Sequence, residues 1–157
     1  WKTVSEKHPD WTLDIYGAGS LENDLKRQIS ELSLEGKVRL MGLSSNIRQN
    51  MLDSSILLMT SVFEGFPMVL LEAAEVGLPV VSYDCPKGPS DIVDDTKTGF
   101  IVKPSDTDAL AGAVNRLIED ETLRLEMGKA AKIKAEQFRI DKTMQRWNAL
   151  FEEVTRV

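Results

Sequence analysis

Two glutamates, Glu64 and Glu72, lie in one short segment with seven residues between them. The sequence predicts that a helix begins between them, because Pro67 favours a first helical turn and Gly77 favours a helix end. The N-terminus of a helix offers free N–H groups and the positive end of the helix dipole, and together these bind phosphate. We therefore expect one carboxylate on each side of a bound diphosphate.

A diphosphate flanked in this way suits a nucleotide sugar. Glu72 lies about 1.5 turns into the predicted helix, roughly 7 Å from Pro67, and is expected to accept hydrogen bonds from two ribose hydroxyls. Glu64 is expected to face the sugar. From spacing alone an alternative stays open, in which Glu64 is a solvated turn residue and Glu72 an exposed helix residue, since acids are common near helix starts.

The elements around this segment predict an α/β fold, a Rossmann-like parallel sheet with helices on both faces and a helical C-terminal tail. Strands and helices alternate through the first two thirds of the chain, which is typical of parallel sheets. Ligands of such sheets bind beyond the carboxyl ends of the strands. The strands are expected at residues 11–16, 38–41, 56–60, 80–83 and 100–102, and the helices at 21–34, 46–52, 68–76, 106–119, 121–138 and 141–154.

Glycines follow several of these strands. Gly17 and Gly19 either form an ordinary turn or let the backbone approach a nucleotide or sugar closely, and Gly42 ends the next strand. Gly65 leaves room where phosphate or sugar must approach. Lys87, beside Gly88, either faces the diphosphate or is a solvated loop lysine.

Composition excludes several classes of function. The chain has 157 residues, which fits one domain, and its net charge of −6 gives no broad surface for nucleic acid or anionic membranes. Its apolar runs are far shorter than the ~20 residues of a transmembrane helix. One cysteine, Cys85, and one histidine, His8, predict neither a disulfide framework nor a zinc or haem site. No third glycine completes a dinucleotide fingerprint, and no phosphate-binding P-loop sequence occurs.

A series of segments in this order resembles the donor-binding region of the group 1 (family 4) retaining glycosyltransferases, which have the GT-B fold. The series covers nearly the whole chain. Asp91 departs from it, because the family usually has glutamate there. The matching segments are residues 13–19, 38–42, 64–67 together with Glu72, 77–81, 88–93 and 98–102.

The resemblance implies an enzyme that transfers a sugar from a nucleotide sugar, with UDP the preferred nucleotide, and retains the anomeric configuration. Residues 1–157 would be its C-terminal nucleotide-sugar-binding domain, lacking the first strand and inactive alone. The N-terminal domain, absent from this chain, would bind a glycan or lipid-linked acceptor. The family uses no metal on the diphosphate and no further cofactor. Catalysis is drawn as front-face attack, with Glu64 orienting the sugar and supporting positive charge.

The resemblance also places backbone N–H groups of the turn on the donor. Pro67 has none, so Phe66, Met68 and Val69 must supply them. The Phe66 ring itself is either an exposed turn aromatic or a plug of the core. Residues 85–89 look most like those of bacterial members that build capsular or other surface polysaccharide. The enzyme would then be cytoplasmic, or peripheral at the inner face of the membrane, with any membrane contact made by the missing half.

Two other classes compete with this interpretation. A non-catalytic flavodoxin-like domain that binds a nucleotide or signal would need an aspartate cluster after its strands, yet Asp84 is the only acid directly after one. A phosphorylase of GT-B architecture would need a lysine that carries pyridoxal or a phosphate site, and neither is found in the sequence.

Overall fold

A computed structural model describes residues 1–156 of the chain. The chain forms two compact units, the first over Trp1–Ile47 and the second from Arg48 onward. Among these 156 residues all strand pairings are parallel, as the strand–helix alternation predicts, and the strands form one sheet of two and one of three. The fold is therefore α/β, and the expected C-terminal helix is present.

The first unit contains two strands and two complete helices. Strands β1 and β2 pair from Leu13↔Val38 to Tyr16↔Gly42, with a register irregularity before Tyr16. The cross-strand neighbours Asp14 and Arg39 form an ion pair, with 2.5 Å between Oδ1 and Nε. The elements are α1 (Lys2–Lys7), β1 (Leu13–Tyr16), α2 (Glu22–Glu31) and β2 (Val38–Gly42).

The second unit holds a parallel sheet in the order β3-β4-β5. The central strand β4 is buried at all four residues, as is typical of parallel sheets covered on both faces. Its one polar side chain, Ser82, donates its hydroxyl to the Tyr83 carbonyl oxygen over 2.8 Å. Its elements are α3 (Ile47–Leu52, which begins at the last residue of the first unit), β3 (Leu57–Met59), α4 (Met68–Val76), β4 (Val80–Tyr83), α5 (Pro89–Ile92), β5 (Gly99–Val102), α6 (Thr107–Glu119), α7 (Glu121–Ala135), a 3-10 turn (Glu136–Phe138) and α8 (Ile140–Thr155).

Helix α4 lies in the core of the second unit. Its Leu70 and Ala73 are fully buried and pack with Val80 and Ile92. At its end the backbones of α4 and α7 touch, because a Cβ atom on Gly128 would lie 2.0 Å from the Gly77 carbonyl oxygen. Only a residue without a side chain fits there, so the glycine fixes how closely α7 packs on α4.

The C-terminal helices differ from the prediction at one point. We expected one helix over residues 121–138, but α7 ends at Ala135 and the chain tightens into the 3-10 turn before α8 begins. This turn is joined to α8, since the Thr143 hydroxyl donates to the Phe138 carbonyl oxygen over 3.4 Å. Within residues 1–156, no helix has the length and apolar character needed to cross a bilayer.

Candidate functional site

The segment between β3 and α4 carries Glu64 as the sequence predicts. Glu64 lies half-buried in the irregular turn after β3, and Pro67 caps α4 rather than entering its first turn. Proline suits this position because its ring fixes φ, here at −76°, and the N–H it lacks would have no helical partner. The helix ends at Gly77, whose φ of 76° is left-handed and whose N–H bonds back to the carbonyls of Ala73 and Ala74.

Glu72 is the fifth residue of α4 and is exposed, on the side away from the buried Leu70 and Ala73. It stands about 6 Å along the axis from Met68, the first residue of the helix. The helix therefore offers a carboxylate to solvent a little more than one turn from its own N-terminus.

Two backbone N–H groups at the start of α4 have partners within the turn. Met68 N–H donates to the Phe66 carbonyl over 2.9 Å, and Leu70 N–H donates to the Pro67 carbonyl over the same distance. The bonds among residues 1–156 do not use the N–H groups of Phe66 and Val69. These two groups are therefore open to an anion. The Met68 N–H was expected to donate as well, but it already has a partner in the turn, and donor binding by Met68 stays a prediction.

The loop after β4 meets this turn. It leaves the sheet with Asp84, whose N–H bonds the Val102 carbonyl of β5, and it passes through the buried Cys85. Lys87 is exposed with a left-handed φ of 66°, and the buried Gly88 follows with φ 116°. A Cβ atom on Gly88 would lie 2.2 Å from Cδ of Pro67. The structure thus brings Gly88 against the cap of α4 and leaves the Lys87 side chain in solvent.

An aromatic contact reaches the same turn from another direction. The rings of Phe66 and Phe138 have centroids 6.1 Å apart and are inclined at 50°. Phe138 is partly buried against the core that contains Leu70 and Val80, whereas Phe66 keeps 45% of its surface exposed. Phe66 is therefore intermediate between the two expectations, an exposed aromatic residue of the turn and a residue that fills the core. Part of its ring packs against Phe138 and the rest reaches solvent. Sequence reasoning did not single out Phe138, because nothing local distinguishes it from a residue at the end of an amphipathic helix.

The glycine candidates of the first unit lie at the carboxyl ends of its strands. Gly17, with φ 140°, donates its N–H to the Gly42 carbonyl over 2.8 Å, so the two strand ends are joined. Gly42 also has a positive φ, of 68°, and Gly17, Gly19 and Gly42 all have open space where a Cβ atom would stand. Gly17 and Gly42 thus adopt a backbone conformation that other residues rarely adopt, and all three glycines leave the backbone surface unobstructed.

Metal-ligating side chains are not clustered in the described part of the chain. Residues 1–156 contain no group of three or more His, Cys, Asp or Glu that could hold a metal ion. The α4 N-terminus carries the positive end of the helix dipole, and Lys87 is an exposed cation in the loop that meets this turn.

Comparisons with known proteins agree on one family. The family model described as "Glycosyl transferases group 1" matches residues 1–134. An exopolysaccharide phosphotransferase of Streptomyces coelicolor is 36% identical over 148 residues, which make up 94% of this chain and 16% of that protein. The chain spans less than half the length of the curated relatives it matches.

Solved structures share the fold. The chain resembles a variant of S. aureus TarM, crystallised with UDP, fondaparinux and alpha-GlcNAc-glycerol, at a TM-score of 0.90 and 27% identity, over 96% of this chain and 31% of that one. It also resembles Anabaena HepE in complex with UDP-glucose, at a TM-score of 0.85 and 26% identity, over 97% of this chain and 44% of that one.

Proposed function

The chain belongs to the group 1 glycosyltransferases, and from this premise we propose that it is the nucleotide-sugar-binding domain of an enzyme that builds bacterial surface polysaccharide. The donor is a UDP-sugar, the anomeric configuration is retained, and the acceptor is a glycan or lipid-linked glycan bound by an N-terminal domain. No cofactor besides the nucleotide sugar takes part. The enzyme works in the cytoplasm or at the inner face of the membrane, and capsule synthesis is the favoured setting.

One observation carries the proposal: α4 starts beside a half-buried carboxylate, Glu64, and presents a second carboxylate, Glu72, about one turn later. The N–H groups of Phe66 and Val69 and the helix dipole would bind the diphosphate between the two acids. The same groups would stabilise the negative charge that develops on the diphosphate as the glycosidic bond breaks.

Each carboxylate would then have a separate role. Glu72, exposed on the helix, would accept hydrogen bonds from the ribose hydroxyls and so anchor the nucleoside. Glu64, in the turn before the helix, would hold the sugar ring and stabilise positive charge at the anomeric carbon during front-face attack. Neither would contact the phosphates, since like charges repel.

The preference for UDP and for a surface glycan draws on the relatives. TarM was crystallised with UDP and HepE with UDP-glucose, and the Streptomyces relative is named for exopolysaccharide. Nothing in the described residues reads uracil uniquely, so the choice of UDP is an extension from those proteins.

The test is a ligand-observed NMR screen of UDP, GDP, ADP and inorganic phosphate against this chain. We expect UDP to bind and inorganic phosphate alone to bind weakly or not at all. Preferential binding of inorganic phosphate would favour a phosphorylase, and no binding of any nucleoside diphosphate would favour a non-catalytic domain. Either result would contradict the proposal.

A further inference from the structure

The turn that carries Glu64 makes almost no backbone hydrogen bonds. Within residues 1–156, the backbone N–H and carbonyl groups of residues 60–65 form no hydrogen bond with any other described residue. Two of its side chains, Val62 and Phe63, are 82% and 70% exposed. The position of the Glu64 carboxylate therefore depends on how the C-terminal end of the turn is held.

Two side-chain contacts hold that end. Pro67 is buried against Gly88, which fixes the point where the turn enters α4. One residue earlier, the Phe66 ring packs on the Phe138 ring, with the centroids 6.1 Å apart. Pro67 is the N-cap of α4, three residues after Glu64. The Phe66 contact lies closer, two residues after Glu64.

Phe138 is the better anchored of the two aromatic residues. It ends the 3-10 turn between α7 and α8, and its carbonyl accepts a hydrogen bond from the Thr143 hydroxyl of α8. Its side chain packs against the buried core that includes Leu70 and Ile92. Phe66, by contrast, belongs to the irregular turn and is nearly half exposed. The contact with the anchored Phe138 ring therefore restrains the Phe66 ring, and with it the end of a turn that has few hydrogen bonds of its own.

We propose that Phe138 is a positioning residue for sugar transfer, which acts through the Phe66 ring to hold the turn that carries Glu64. This inference rests on the proposed function of Glu64, and it assigns a role to a residue that lies beyond the part matched by the family model, residues 1–134. Phe138 touches no substrate in this scheme. A displacement of a reacting group by about 1 Å can lower a rate ~10²-fold.

The test compares variants of the whole protein in release of UDP from UDP-glucose, UDP-galactose or UDP-N-acetylglucosamine, whichever the parent consumes fastest. Phe138→Ala is expected to lower kcat about tenfold, to leave KM for the donor within about threefold, and to leave UDP affinity unchanged. Each rate is divided by the measured number of UDP-binding sites per chain, so that a misfolded fraction of the protein does not lower the apparent kcat.

Three further variants separate positioning from general stability. Phe138→Tyr keeps the ring and should keep the parental kcat. Phe138→Leu keeps apolar volume but loses the ring, so its kcat should lie between those of Phe138→Tyr and Phe138→Ala. Phe151→Ala removes a ring that is 58% exposed on α8 and should leave kcat unchanged. If Phe138→Ala does not fold, Phe138→Leu replaces it in every comparison.

The double variant Phe66→Ala/Phe138→Ala gives the sharpest outcome. If the two rings act through each other, kcat of the double variant falls no further than that of the worse single variant. Multiplicative losses, or a parental kcat in Phe138→Ala with normal UDP binding, would overturn the inference and leave the proposed function standing. Absence of both UDP binding and turnover in the parent protein would instead refute the proposed function.

Discussion

Gly88 lies so close to Pro67 that a Cβ atom on the glycine would stand 2.2 Å from Cδ of the proline ring. The two residues come from different loops, one after β4 and one before α4, and both are buried. The contact joins the Asp84–Gly88 loop to the cap of the helix that carries Glu72. Gly88 is therefore needed for close approach within the protein, whether or not it also contacts the donor.

We predict that Gly88→Ala destabilises the second unit more than Gly77→Ala does. Both glycines have positive φ, so both substitutions carry backbone strain, but a Cβ atom on Gly77 has its nearest neighbour at an ordinary 3.5 Å. The overlap with Pro67 should add about 1–3 kcal/mol to the loss. Denaturant unfolding of the two variants measures the difference. Equal losses would show that the loop moves away from Pro67 without cost.

The ribose assignment predicts a loss of nucleotide binding on Glu72→Ala. The isolated chain should bind UDP near the millimolar range, about −4 kcal/mol, since part of the cleft is proposed to lie in another domain. Glu72→Ala should remove most of that binding and leave the melting temperature unchanged, because Glu72 is exposed.

Glu75→Ala is the matched control for this experiment, because Glu75 is also an exposed glutamate of α4. It should bind UDP as the parent does. Parental UDP and GDP affinity in Glu72→Ala, measured by ligand-observed NMR, would show that the ribose assignment is wrong.

Transfer by the whole protein is predicted to survive EDTA nearly unchanged. The described residues gather no cluster of three His, Cys, Asp or Glu, and the diphosphate charge is proposed to rest on α4 N–H groups and cations instead. The measurement is UDP release with EDTA and after addition of Mn²⁺. Activity that EDTA abolishes and Mn²⁺ restores would contradict a metal-free site in this domain, unless the metal is held elsewhere in the protein.

Local patterns in the sequence were enough to predict the elements around the site. The helix over residues 68–76 and its glycine end follow from the apolar run and Gly77, and the observed α4 has those bounds. Asp106 marks the start of α6, where its carboxylate accepts the Ala109 N–H over 2.9 Å. Signals of this kind depend on neighbours within one or two turns, so a single sequence contains them.

The contacts that hold the site could not be predicted in the same way. Gly88 meets Pro67, and Phe138 meets Phe66, only because the sheet order and the tight 3-10 turn bring distant segments together. The continuation of α7 to residue 138 was wrong for a related reason. Helical periodicity does not distinguish a last α-helical turn from a 3-10 turn. The observed turn places Phe138 against the core of the second unit, which is a contact with residues distant in sequence.

The central claim is that the Glu64 carboxylate serves the sugar and not the nucleotide, and Glu64→Gln in the whole protein tests it most directly. The change removes a charge and keeps the shape. We predict that kcat falls ~10²-fold or more, which is a few kcal/mol of transition-state stabilisation. UDP affinity and, within a few degrees, the melting temperature should stay parental, as should every parameter of Glu75→Gln. Ordinary turnover in Glu64→Gln would contradict the account and reduce Glu64 to an acid of the turn.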